Sequence, residues 1–265
     1  MLVDYHTHTN LCKHADGVAE DYVRKALELG FDEVGCSDHS PLPNGFDPEH
    51  RMTLDEFAQF YRPMVDDVQK KFDKKIKVRF GIEADYLPGA EKYMKKFLEE
   101  NDFDFVIGSV HFLGDWGFDN FKNVSRYEEK DVYEVYVEYF TTLRDAAASG
   151  MFDVVGHLDV VKVFGYRPNR DYDGVLREAM KAIKEHDLVV EINTAGLRKP
   201  IGEIYPSVKI LEIIKEMKIP LTLGSDSHTP GDVGRDFDLA VELVRKYGDG
   251  RITVFDKRQR KEVSI

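Results

Sequence analysis

Seven times along this chain, a short apolar run rich in β-branched residues gives way to a stretch with helical period. The runs begin at Val3 and continue with Glu33–Ser37, Lys77–Ile82, Phe105–Val110, Asp153–Gly156, Leu188–Ile192 and Pro220–Gly224. The helical stretches that follow them are Val18–Leu29, Thr53–Phe72, Pro88–Glu99, Glu129–Ser149, Asp173–His186, Ser207–Met217 and Asp236–Tyr247. Strands joined by a helical crossover lie parallel in one sheet. The alternation therefore leaves two architectures, an open doubly wound sheet or a closed α/β barrel. Gly30 and Gly150 are helix stops, Pro88 suits a first helical turn and Ser207 suits an N-cap. Pro63 should bend or interrupt the helix that contains it. Ile252–Phe255 reads as an additional terminal strand. No Ser/Pro-rich or low-complexity segment divides the chain, and 265 residues suit one barrel or doubly wound sheet, so a single domain over 1–265 is expected.

The polar residues at the ends of the runs decide between the two architectures. The first run leads into His6-Thr7-His8; five of the others lead into His39, Glu83, His111, His157 and Asp226 with His228, and the Leu188–Ile192 run leads into Asn193. Side chains two apart on a strand share a face, so His6 and His8 can close on one ion. In a closed parallel barrel all C-terminal strand ends meet at one mouth, whereas an open sheet strings them along an edge. A closed barrel of seven βα units is therefore expected, with its metal site at that mouth. His14, in the first βα loop, is near enough in sequence to reach the same place. Each residue alone has a plainer reading: a histidine after a strand usually bonds a loop, and Asp226 could cap a turn. Recurrence at six of seven strand ends is what carries the metal reading. His50 and His186 are left over and read as surface or capping residues. Gly81, Gly108, Gly156 and Gly224 fit either a crowded rim or ordinary packing.

Composition narrows the partners. Asp and Glu number 49 against 37 Lys and Arg, a net charge of −12, which disfavours extended contact with a nucleic acid. A cluster of divalent cations would reverse that sign locally. The only two cysteines, Cys12 and Cys36, exclude a disulfide framework and read as small reduced core residues. No apolar run is long enough to span a bilayer and no secretory leader precedes Val3, so no membrane partner and a cytoplasmic location are expected.

The ordered set His6-x-His8, His14, Ser37-Asp38-His39, Glu83, His111, His157 and Asp226-x-His228 resembles the polymerase-and-histidinol-phosphatase (PHP) family of phosphoesterases over nearly the whole chain. The resemblance implies a distorted seven-unit βα barrel holding up to three metals. It would put His6, His8, Glu83 and Asp226 on one ion, with Glu83 bridging to a second that His111 and His157 complete. His14, His39 and His228 would hold a third. Amidohydrolase barrels also begin with His-x-His but typically carry a bridging lysine on the fourth strand, where this chain has Ser109-Val110-His111. Within the PHP family, Ser37–Pro41, Gly156–Asp159 and Glu191–Lys199 look most like the stand-alone histidinol-phosphate phosphatases. That closer likeness implies hydrolysis of L-histidinol phosphate to L-histidinol and phosphate, a step of histidine biosynthesis, on a small-molecule substrate.

Mixed histidine and carboxylate donors suit Zn, Fe or Mn alike. Three such divalent ions would neutralise phosphate oxygens, and a metal-bridging hydroxide would attack in line. The residues expected to take part in the chemistry are Glu83, Asp226 and Asp38, the last as a source of the leaving-group proton, with metal-bound water as the alternative source. Arg167, Arg198 and Lys199 lie in loops after the fifth and sixth strands, where they either grip the phosphate or stand as solvated charges. Asp85, Asp159 and Phe112 are positioned to line an outer pocket for the cationic and aromatic end of the substrate. Two other readings stay open. A nuclease on the same metals would need a basic or stacking groove. A non-catalytic regulatory protein is disfavoured by the intact donor set.

Overall fold

A computed structural model describes residues 1–265. Seven parallel strands form one sheet: β1 (Val3–Asp4), β2 (Glu33–Cys36), β3 (Lys77–Asp85), β4 (Phe105–Ser109), β5 (Val154–Val155), β6 (Val189–Asn193) and β7 (Leu221–Gly224). They are hydrogen-bonded in chain order, with Val34 opposite Val78, Glu83 opposite Ile107 and Asn193 opposite Gly224. The two edges then come together. The Tyr5 N–H donates to the Leu223 carbonyl at 3.0 Å, and His6 and His8 exchange backbone bonds with Ser227 at 3.2 and 3.0 Å. The sheet is thus a barrel, as the strand-end pattern requires. It is distorted, because β1 and β5 pair over only two residues each.

The surrounding helices are α1 (Ala19–Glu28), α2 (Arg62–Phe72), α3 (Glu91–Glu99), α4 (Val132–Ala148), α5 (Asp173–Glu185), α6 (Val208–Met217) and α7 (Phe237–Tyr247). Each turns an apolar stripe inward, as Tyr22, Val23 and Ala26 do on α1, and Gly30 at φ +77° ends that helix. The stretch before α2 starts on a capping box, Thr53 Oγ1 accepting from the Glu56 N–H and Glu56 accepting from the Thr53 N–H. Pro63 does not break this helix. The turn just before it, Phe57–Tyr61, widens to π geometry, which accommodates a ring that has no N–H to give. Pro88 lies in a turn ahead of α3, not in its first turn, because Gly89 at φ +91° must unwind the chain there. Ser207 occupies the N-cap position of α6, but its side chain makes no capping bond.

Ile252–Phe255 does not extend the barrel. It lies in β8 (Arg251–Asp256), paired antiparallel with β9 (Gln259–Ser264) as a hairpin across the N-terminal strand ends. Phe255 packs 6.1 Å from Tyr5 and 6.2 Å from Phe105, and Arg258 pairs with Asp153 at 2.9 Å. A continuous core of 76 buried residues joins helices, barrel and hairpin. Gly35 and Gly81 are glycines because a Cβ on either would stand 2.6 or 2.3 Å from the Phe105 ring. The hairpin thus covers the N-terminal end of the barrel, opposite the mouth where the C-terminal strand ends meet.

Candidate metal centre

Every expected donor reaches that mouth. His6 and His8 extend from β1, His39 follows β2, Glu83 sits near the end of β3, His111 follows β4, His157 follows β5, and Asp226 and His228 follow β7. Asp226 is held at φ +51°, a turn that aims its carboxylate back over β1, 3.2 Å from His8 Nε2. Glu83 lies at the middle, 1% exposed, and its two oxygens face different partners. Oε2 stands 3.3 Å from His6 Nε2, 3.5 Å from His8 Nε2 and 2.8 Å from His39 Nδ1. Oε1 stands 2.9 Å from His157 Nε2 and 3.4 Å from His111 Nε2. The His111 and His157 Nε2 atoms are 3.2 Å apart, and those of His14 and His228 are 3.0 Å apart.

Such convergence is costly for a protein on its own. His6 Nε2, both nitrogens of His8 and Glu83 Oε2 are buried with no hydrogen-bond partner, and each orphaned polar atom costs about 1–3 kcal/mol. His6, His8 and Asp226 converge, as do His6, Glu83 and His157, and His8, His39 and His228, each set with donor atoms inside 4.8 Å. These residues fit divalent cations, and nothing else in the chain satisfies their lone pairs.

The electrostatics agree. Burial alone would raise Glu83 and Asp226, but the surrounding histidines, His39 and His6 foremost, hold both carboxyls well below their usual range. Burial, followed by the charge of Arg51 for His39 and of His8 for the other two, pushes His39, His228 and His14 down, His14 to about 4. Those three are neutral donors at ordinary pH. Burial is outweighed at His6, His8 and His111 by facing carboxylates, and Asp85 with Glu83 lifts His111 to about 9. Ions entering this centre must therefore displace protons.

Around the donors stands a layer that sets their orientation. His6 Nδ1 lies 2.7 Å from Glu191 Oε1, and Glu191 Oε2 also accepts from the His157 N–H and from Asn193. Gly224 makes room for this carboxylate, since a Cβ there would lie 1.8 Å from it. His111 Nδ1 lies 2.6 Å from Asp85, which Arg51 clamps from the other side at 2.9 Å. Sequence reasoning gave Glu191 and Arg51 no role. The signal was present for Glu191, which shares a strand face with Asn193, just as Asp85 shares one with Glu83.

Other expectations are corrected by position. Asp38 is fully buried behind His8, its oxygens taken by Thr9 and the His39 N–H, so it does not face the mouth as a proton source. Arg167 pairs with Glu203 on the surface at 2.7 Å. Arg198 sits one layer back, donating to the Ser225 carbonyl at 2.6 Å and the Thr194 carbonyl at 3.4 Å, with Asp232 beside its Nε. Of the three cations, only Lys199 lines the mouth. Asp159 is buried against Lys162 and the Ser207 N–H. His50 is not a leftover surface residue: it lines the mouth, held by Asp47 at 2.8 Å. His186 is the C-cap of α5, and both cysteines are buried and free.

Above the donors opens a cavity of about 600 Å³. Its roof is the segment between β4 and α4, a short ribbon (Phe112–Leu113 with Trp116–Gly117) followed by the turns of Phe121–Tyr127. Phe46, Phe112, Phe121 and Phe164 form its apolar walls, with Asp47, Asp115 and Asp119 among them. No helix is long and apolar enough to cross a membrane.

The PHP domain family matches residues 4–195. A Deinococcus radiodurans protein named "Probable histidinol-phosphatase" is 42% identical over 259 residues, covering 97% of this chain and 98% of its own. The Histidinol-phosphatase of Bacillus subtilis is 30% identical over 263 residues, 90% of this chain and 98% of its own. Among solved structures, the histidinol phosphate phosphatase of Lactococcus lactis, crystallised with zinc, L-histidinol and phosphate, superposes with a TM-score of 0.80. The match covers 98% of each chain at 23% identity, and it bears on the fold alone.

Proposed function

Because this chain belongs to the PHP domain family, we propose that its mouth is the active site of a metal-dependent phosphomonoesterase that hydrolyses L-histidinol phosphate to L-histidinol and phosphate. Near-full-length relatives carry that activity in their names. The observation that carries the reading is the convergence of Glu83, Asp226 and seven histidines at the base of one cavity that opens at the barrel mouth.

Three divalent ions are proposed. His6, His8, Glu83 and Asp226 would hold one, Glu83 with His111 and His157 a second, and His14, His39 and His228 a third. The two-sided placement of Glu83 and the paired Nε2 atoms of His111/His157 and His14/His228 support this division. Zn, Fe and Mn all suit the donors. When bound, such ions neutralise the phosphate oxygens and make water acidic enough to act as a nucleophile near neutral pH.

The chain itself does the rest. In the net reaction, the oxygen of one water bonds to phosphorus, the bond from phosphorus to the histidinol oxygen breaks, and histidinol leaves with a proton. Glu191 and Asp85 fix the rings of His6 and His111, so their donor atoms need no reorganisation as charge builds on the phosphoryl group. Lys199 is the one lysine or arginine on the cavity wall without an ion-pair partner, and it is assigned to the phosphate. Arg51, also on the wall, is committed to Asp85 and Asp47. Phe112, Phe121 and Phe164 offer faces to an imidazole. A cavity of about 600 Å³ suits a small phosphate ester better than a strand of nucleic acid.

The test is kcat/KM for histidinol phosphate against a panel of phosphomonoesters and single-stranded oligonucleotides, on protein of measured metal content. Histidinol phosphate is expected to lead. Oligonucleotides as the better substrates would replace this reading with a nuclease.

A further inference from the structure

The carboxylates on the cavity wall differ in what they already hold. Glu83 and Asp226 face the histidines of the floor. Asp47 is bonded to His50 and paired with Arg51. Asp115 is paired with Arg126 at 3.1 Å. Asp119 has no hydrogen bond from any side chain or backbone group and no cation within ion-pair distance, although it is only half exposed. It follows the roof ribbon and shares the cavity with Phe112, Phe121 and Phe164. A half-buried carboxylate on a wall that it shares with aromatic rings has lost part of its hydration without a partner in return. On the same wall, Lys199 is the mirror case, a cation without a partner. One free positive and one free negative group on a single small cavity describe a ligand with an anionic and a cationic end.

Resting on the reaction assigned above, we infer that Asp119 is the residue that selects the substrate, by accepting a hydrogen bond from the protonated amine of the amino-alcohol phosphate while the phosphate lies on the floor. The amine of such an ester sits on the carbon next to the one bearing the phosphate oxygen, so a group on the roof can hold it without leaving the phosphate. Asp119 makes no contact with the reacting atoms; its effect is on binding and therefore on selectivity.

The experiment compares wild type, Asp119→Asn and Asp119→Glu on histidinol phosphate and on its analogue lacking the amine, at equal metal content. Wild type is expected to favour the amine-bearing ester by about 10- to 100-fold in kcat/KM, the range of one hydrogen bond between charged groups. Asp119→Asn should erase most of that preference, chiefly by raising KM for histidinol phosphate, with a change below about threefold for the analogue. Asp119→Glu should restore part of it. Because Asp119 holds nothing in the fold, the Asn variant should melt with wild type; a clear drop in Tm would overturn the inference. So would equal losses on both esters, or none on either. Wild type that hydrolyses the analogue as well as histidinol phosphate would also overturn it while leaving the reaction in place. Wild type inactive on both would overturn the assigned reaction and this inference with it.

Discussion

Glu191→Gln preserves shape and removes one charge behind the metal donors, and its cost can be worked from contacts. Glu191 is fully buried and accepts three bonds: from His6 Nδ1 at 2.7 Å, from the His157 N–H at 3.0 Å and from Asn193 at 2.9 Å. A glutamine has one oxygen to offer. If it stays on His6, the new NH2 points at two donors, His157 N–H and Asn193 Nδ2, and both lose their acceptor. Leaving buried donors unpaired costs about 1–3 kcal/mol, which a melting curve of metal-free protein should register. The charge matters separately. A carboxylate on Nδ1 keeps the proton there and leaves Nε2 free for an ion, and losing such a partner typically weakens metal binding by about 10- to 100-fold, or roughly 1.4–2.7 kcal/mol. The assay is zinc titration of chelator-stripped protein against a competing indicator, followed by kcat at saturating zinc. The expected result is one weakened ion and a kcat that recovers toward wild type when zinc is in excess. An unchanged zinc affinity would refute the claim that Glu191 sets the His6 donor.

Three further outcomes are expected. Glu83→Ala should abolish activity and lower metal content by more than one ion, whereas His14→Ala should lose about one ion and keep the others; a His14→Ala protein with full metal and full rate would exclude His14 as a ligand. In metal-free protein, His111 is lifted to about 9 by burial-defying contact with Asp85, so its stabilising contribution, on the order of 3 kcal/mol, is complete below about pH 6.5 and fades as pH rises through about 9. Asp85→Asn should flatten the decline of Tm between those values, and an unchanged slope would contradict the pairing. Lys199→Ala should weaken inhibition by inorganic phosphate with no change in Tm, while Arg198→Ala should lower stability by about 1–3 kcal/mol by freeing the Ser225 and Thr194 carbonyls. The reverse pattern would return the phosphate to Arg198.

The floor of the site was legible in the sequence because barrel geometry makes strand-end position and spatial position nearly the same thing. His111 and His157 are 46 residues apart in the chain, yet each directly follows a strand, and their Nε2 atoms meet. What was not legible depends on side-chain direction and on loops. Asp38 and His39 are neighbours, but one bonds back into Thr9 while the other faces the donors, and a one-residue offset decides it. Arg198 is near the site in sequence and in space, but two backbone carbonyls hold it a layer behind. The roof escaped reading because its strands are two residues long and Trp116, buried within it, gives no period. His50 and Asp119 depend on that roof and on the loop after β2, so their roles could not be placed without coordinates.

The seam between β1 and β7 joins Tyr5 to Leu223, and the hairpin beneath it brings Phe255 onto Tyr5. In a growing or refolding chain, this makes the first strand wait for the last. Closing a loop of that length costs roughly 5 kcal/mol of chain entropy, recovered only when the ring shuts, and such distant pairings make for slow folding. Until then His6 and His8 lie on an unpaired edge, out of reach of Asp226 and His228. Metal affinity at the two sites that include Asp226 or His228 thus becomes a signal of completed closure: a chain stalled before the seventh strand should take up only the ion assigned to Glu83, His111 and His157, and uptake of the others should coincide with the slowest folding phase.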